Sequence, residues 1–310
     1  MWGRIDQTEV VRGNQVTTAL AAVVAFLVVE VATRTATSMA YVGGAFVAAA
    51  VLIGPAAPLA GATGVVVHDV VYGAFGDWTV ATAAWILVFG WAVVWLGSGR
   101  SNGPDGQALK SVHRVAPACA GIVVIGGINA TAFGAWLAMV LGSQRFYTAA
   151  TGFLPGIAAA VGLCVFGLVA VGVARRLGLI GRTDTRGRSL FESEAPGRNR
   201  SEGPTRATTV GVFVIGTGWL FGVSVLDVFV HDLTLYPTAN EFRGFLTGFL
   251  GGDSPIATVL LGVYNYGELA VVLSAPVALL ALLGWCAYHE QVLSGADLGV
   301  DIIFGGPSNE

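Results

Sequence analysis

Residues 79–97 read TVATAAWILVFGWAVVWLG, a run in which no side chain ionises. As a helix rising 1.5 Å per residue it would cover roughly 30 Å, the thickness of a bilayer's hydrocarbon core. It is apolar all the way round, and such a helix needs protein or lipid on every side. Further apolar runs occupy about 15–33, 39–53, 56–73, 115–141, 149–174, 208–229 and 256–287. Hydrophobic residues make up 55% of the chain and charged residues 11%, against roughly 25% charged in a soluble domain. The fold class that follows is an all-α polytopic membrane protein of about eight transmembrane helices.

Breakers divide the runs. Gly54-Pro55 ends the second before Ala56-Ala57-Pro58 opens the third. The runs at 115–141 and 256–287 exceed what a bilayer requires, which predicts tilt, a kink or a break. Residues 240–252 have the pattern of an amphipathic interfacial or re-entrant segment. The first run is too long for a signal peptide's apolar region and contains Glu30, so it reads as an uncleaved helix. Residues 177–207 form an Arg/Glu/Ser/Gly-rich linker with no apolar period. The resulting organisation is a six-helix bundle (1–176), that linker, a two-helix block (208–288) with an outer loop at 231–253, and an acidic tail (289–310).

Basic residues orient the chain. Arg4 and Arg12 precede the first run. Arg100, Lys110 and Arg114 follow the fourth, and eight arginines from Arg175 to Arg206 follow the sixth. The positive-inside rule puts all three regions, and the N-terminus, in the cytoplasm at the cell membrane. The even number of crossings between successive regions agrees. Lys110 is the only lysine among 16 basic residues, a bias that points to a GC-rich genome of archaeal type.

Several chemistries are excluded. The stretch Gly103–Ser111 has Leu109 where a phosphate-binding loop needs its second glycine. No lysine lies in any run to carry a retinal Schiff base, and no hydrolase, zinc-protease or dinucleotide motif is present. There is no basic stripe for nucleic acid. Cys119, Cys164 and Cys286 are scattered in apolar runs and read as small buried hydrophobes, not as disulfides or metal ligands. No cofactor is implied.

The polar residues inside the runs carry the functional reading, since intramembrane ionisable groups mark functional sites. In the orientation above they gather toward the outside: Glu30, Arg34, His68, Asp69, Tyr72, Asn129, Arg145, Tyr147, Asp227, His231, Asp232, Tyr264, Asn265, Tyr266 and Glu268. That asymmetry points to a ligand received from outside; interfacial hydrogen bonding of helix ends is the competing explanation. His68-Asp69 and His231-Asp232 also form two His-Asp pairs that a divalent metal could share. Trp78 and Trp85 are seven apart and share a helix face. With Asn129 and Trp136, Trp85 is expected to line a pocket for a flat ligand, and packing is the alternative.

Leu52–Gly73 reads LIGPAAPLAGATGVVVHDVVYG. Its Gly-Pro turn, small-residue helix and acidic residue with glycine resemble the substrate-binding (S) components of energy-coupling-factor (ECF) transporters, over about residues 15–176. The resemblance implies high-affinity capture of a vitamin-like solute, with no enzymatic activity. It implies a solute site drawn from Arg34, His68, Asp69, Tyr72, Trp78, Trp85, Asn129, Trp136 and Tyr147. It also implies docking through Ala21 and Ala25 on a coupling transmembrane subunit that works with separate ATPase subunits. The helix pair 208–287 departs from that pattern. A structural or accessory subunit of a membrane complex is the rival expectation, and a membrane-embedded metal or haem protein or enzyme is a third.

Overall fold

The computed structural model describes residues 39–53, 56–97, 112–142, 144–176, 204, 206–232, 239–251 and 254–290. The first apolar run with Ala21 and Ala25, Arg34, most of the linker and the tail from 291 lie outside these residues. The described residues form eight helices and no strand. These are α1 (Met39–Ile53), α2 (Ala56–Val71), α3 (Asp77–Gly97), α4 (Val112–Val140), α5 (Phe146–Arg176), α6 (Arg206–Asp232), α7 (Ala239–Leu250) and α8 (Pro255–Glu290). Five of them, α3, α4, α5, α6 and α8, are long and apolar enough to cross a bilayer. The chain is a multi-pass helical membrane protein.

Two left-handed glycines make the tight connections. Gly73 (φ 67°) ends α2, where Tyr72 N–H donates to the His68 carbonyl (3.0 Å) and Ala74 N–H to the Asp69 carbonyl (2.7 Å). Gly142 (φ 85°) closes α4 in the same manner. Short turns make α2 and α3, and α4 and α5, antiparallel neighbours. Trp85 meeting Thr131 while Val93 lies beside Gly126 makes α3 antiparallel to α4. Trp219 meeting Ser274 while Trp285 meets Ala207 does the same for α6 and α8. The C-termini of α2, α4 and α6 and the N-termini of α3, α5 and α8 therefore share one end of the bundle, which we term the polar end.

α3 and α4 are central, with half or more of their apolar stretches buried; α8, at 17%, is peripheral. The helix pair α6/α8, whose position the sequence left open, packs on α4, and α6 also touches α5. α7 seats Phe242 and Leu246, one helical turn apart, against α8 residues including Ala257, Leu260 and Tyr264. On the flank of the same face, Phe245 and Phe249 are exposed and stacked on each other, with centroids 5.9 Å apart. Most of the 240–252 segment is thus a helix, ending at Leu250, with one face bound to α8.

Lipid supplies no hydrophobic drive between helices, so close packing of small residues must. Between α1 and α5 the approach is backbone to backbone. A Cβ on Gly44 would collide with the Gly156 carbonyl, and one on Gly156 with the Ala40 carbonyl. Ala40/Gly44 and Gly156/Ala160 are small-xxx-small pairs facing each other. The two runs expected to tilt, kink or break are each one continuous helix: α4 passes Pro117 and α8 runs 36 residues through Pro276; α5 likewise contains Pro155.

Gly156→Leu is expected to lower stability by at least about 1–3 kcal/mol, the usual cost of overpacking, because backbone cannot step aside. Gly162→Leu, on the same helix with open space around it, should change little. Thermal unfolding of the two variants in detergent compares them.

Candidate functional site

The residues singled out from sequence fall into three places. His68, Asp69, Tyr72 and Trp78 come together at the α2–α3 turn on the polar end. Thr79 organises this junction. Its hydroxyl donates to Asp69 Oδ2 in a short hydrogen bond and accepts from Gly76 N–H (3.2 Å), half of a capping box at the start of α3. His68 Nδ1 lies 2.9 Å from Asp69 Oδ1, and its ring packs against Tyr72 with centroids 4.6 Å apart. Asp69 is buried with both oxygens engaged, whereas Tyr72 is half exposed.

Trp85 stands about two turns deeper on α3, fully buried against α4 and α5. Phe153 of α5 enters the space between Trp78 and Trp85 and stacks on both, at 4.8 Å and 5.2 Å. Phe89 extends the column edge-on at 5.2 Å. The shared face expected for Trp78 and Trp85 exists, and the flat group it holds is the protein's own Phe153. Glycine makes room: a Cβ at Gly134 would lie 3.1 Å from both Trp85 and Phe153. The Trp85 indole N–H donates to Thr131 Oγ1 (3.1 Å).

Asn129 and Trp136 face away from this column. Asn129 Nδ2 bonds the Ile125 carbonyl of its own helix (2.9 Å) and reaches the Val212 carbonyl of α6 (3.4 Å). The Trp136 indole donates to the Val272 carbonyl of α8 at 2.9 Å. Val272 is four residues before Pro276, so its carbonyl is the one that proline, lacking an N–H, leaves without a helical donor. Trp219 adds a bond to Ser274 Oγ (3.1 Å), and Ser274 in turn bonds the Val271 carbonyl (2.7 Å). Trp285 donates to the Ala207 carbonyl (3.1 Å) beside Gly211, where any side chain would collide with the indole. Each of these four indoles thus donates to a helix other than its own. The single pocket expected from Trp85, Asn129 and Trp136 is divided among three interfaces.

Tyr147 marks the third place, the first turn of α5. Its backbone N–H donates to Asp227 Oδ2 (2.9 Å), so a carboxylate from α6 caps the N-terminus of α5 and meets its positive dipole end. Asp227 is 1% exposed. His231 Nδ1 lies 2.9 Å from the Asp227 carbonyl and 3.2 Å from Oδ1. One ring hydrogen cannot serve both well, and Oδ1 has no properly directed donor. The partner of His231 is therefore Asp227, one helical turn back. Among the described residues no three His, Cys, Asp or Glu side chains gather closely enough to hold a metal ion.

Sequence reading missed Phe153 and Thr131, ordinary residues whose roles arise only from their neighbours. It noted Asp227 without selecting it, although a carboxylate within an apolar run was the available signal. No family model, curated protein or solved structure matches this chain.

Phe153→Ala is expected to cost about 3–5 kcal/mol, since it opens a gap between two indoles. Unfolding in detergent with a tryptophan-fluorescence readout measures it. Trp136→Phe keeps the ring but leaves the Val272 carbonyl unpaired, and should cost about 1–3 kcal/mol. Trp91→Phe, at an exposed indole, is the matched control and should lose under about 0.5 kcal/mol.

Proposed function

We propose that this chain is a membrane-embedded solute-binding subunit of an ECF-type uptake system that receives a vitamin-like small molecule at the polar end of its bundle. In this reading the chain has eight spans in a six-plus-two arrangement, lies in the cell membrane and keeps its N-terminus in the cytoplasm. A coupling transmembrane subunit, docked through Ala21 and Ala25, and separate ATPase subunits would supply the power. The observation that carries the reading is the composition of one end. His68, Tyr72 and Trp78 stand at the α2–α3 turn and Tyr147 at the start of α5, with Tyr72 and Tyr147 about half exposed. Beside Tyr147, the buried carboxylate of Asp227 retains an oxygen without a well-placed donor. A small polar solute needs aromatic surface and a few directed polar groups. Arg34, which lies outside the described residues, is assigned to the same site in this reading. Trp85, Asn129 and Trp136 then act behind the site, holding α3, α4, α6 and α8 in place.

A second reading has its own support. Asp69, Trp85, Asn129, Trp136 and Asp227 all direct polar atoms to other helices. That is how a structural or accessory subunit of a membrane complex would use them. The residual metal-protein reading has no comparable observation in its favour.

Thermal unfolding of the full chain against a panel of water-soluble vitamins separates the two. A bound solute at about a hundred times its Kd adds about 2.7 kcal/mol, a rise of several degrees. Tyr72→Ala and Tyr147→Ala should each abolish the rise and leave the ligand-free midpoint near that of the parent. No rise with any member, together with native purification that brings down other membrane proteins but no ATPase, would support the accessory reading instead.

A further inference from the structure

The three cysteines have no motif in sequence, yet the fold brings two of them together. α4 and α5 are antiparallel, with their register set where Ile157 packs over Gly127 and Phe153 over Gly134. Cys119 lies eight residues before Gly127, and Cys164 seven residues beyond Ile157. Both are therefore displaced by about 10–12 Å along their axes in the same direction. Cys119 packs against the core cluster that contains Cys164, the two thiols are in hydrogen-bonding contact, and no disulfide joins them. A disulfide between them requires their Cα atoms to come within about 7 Å of each other.

Cys164 also lines a groove between α1 and α5. Below the glycine crossing at Gly44 and Gly156 these helices part, leaving about 280 Å³ bounded by Ala45, Ala48, Ala49, Leu163, Gly167 and Leu168. No lining side chain carries a charge, and exposed Leu163 stands at its edge. Charged oxidants are poorly suited to such a place, because their desolvation is costly. A neutral, flat, lipid-soluble two-electron acceptor fits it.

We propose that Cys119 and Cys164 are a dithiol site that closes to an interhelical disulfide at the expense of a membrane-soluble quinone. Two S–H bonds break and one S–S bond forms. The two electrons and two protons pass to the quinone, which leaves as the hydroquinone. The product ties α4 to α5 on the side of their Gly127/Ile157 contact away from the polar end. This inference is independent of solute binding.

The test uses the full chain in proteoliposomes incubated with a short-chain benzoquinone. The protein is then denatured without reductant and alkylated with a maleimide. Alkylatable cysteines should fall from three to Cys286 alone, and dithiothreitol should restore all of them. A peptide map should contain a Cys119–Cys164 cross-link lighter by two hydrogens than the separate peptides. Cys119→Ser and Cys164→Ser should each prevent the loss, with Cys→Ala versions serving where serine impairs folding. The proposal is overturned if every thiol stays alkylatable, if the quinone adds to sulfur, or if Cys286 enters the bridge.

Discussion

A backbone carbonyl in hydrocarbon has no water to turn to, and this constraint organises the structure more than any single contact. Pro276 shows how it works. By removing one N–H from α8 it strands the carbonyl of Val272, and α4 supplies the missing donor from Trp136. The neighbouring Val271 carbonyl is reached by Ser274, itself held by Trp219 of α6. The longest helix can therefore contain a proline at mid-length because α4 and α6 flank it there, and the same bonds locate α8 against them. Charged ends obey the same rule: Asp69 is tied to the start of α3 and Asp227 to the start of α5.

Glycine sets how near the helices come, and aromatic rings fill what is left. Gly44 and Gly156 let α1 and α5 touch backbone to backbone, while Gly134 admits Trp85 and Phe153. Gly211 and Gly267 perform that service for Trp285 and Val230 between α6 and α8. These approaches are local, and helices that touch at one level part at another. The groove beneath the α1–α5 crossing is the direct result, and Cys164, itself buried, lies in its lining.

Much of the architecture was legible from sequence because span length and breakers are local properties. Gly54-Pro55 separates α1 from α2, Gly73 ends α2, and the aromatic run from 79 lies within α3. The candidate site was less legible. The seven-residue spacing of Trp78 and Trp85 correctly implied a shared face, but spacing cannot say what stands opposite, and Phe153 does. Asn129 and Trp136 are likewise seven apart, yet one meets α6 and the other α8, because those helices contact α4 at different levels. His231 was paired by adjacency with Asp232, whereas helical geometry sets it beside Asp227.

By itself, the sequence determined that this chain forms apolar helices in a membrane, with polar groups drawn to one end. Those outcomes depend on hydrophobicity per turn and on where glycine and proline interrupt it. Tertiary structure alone decided which helix each polar atom serves, where α6 and α8 dock, and that two unremarkable cysteines face each other. These are long-range matters: a hydrogen bond or thiol contact across helices depends on crossing level and register, set by small residues far apart in the chain.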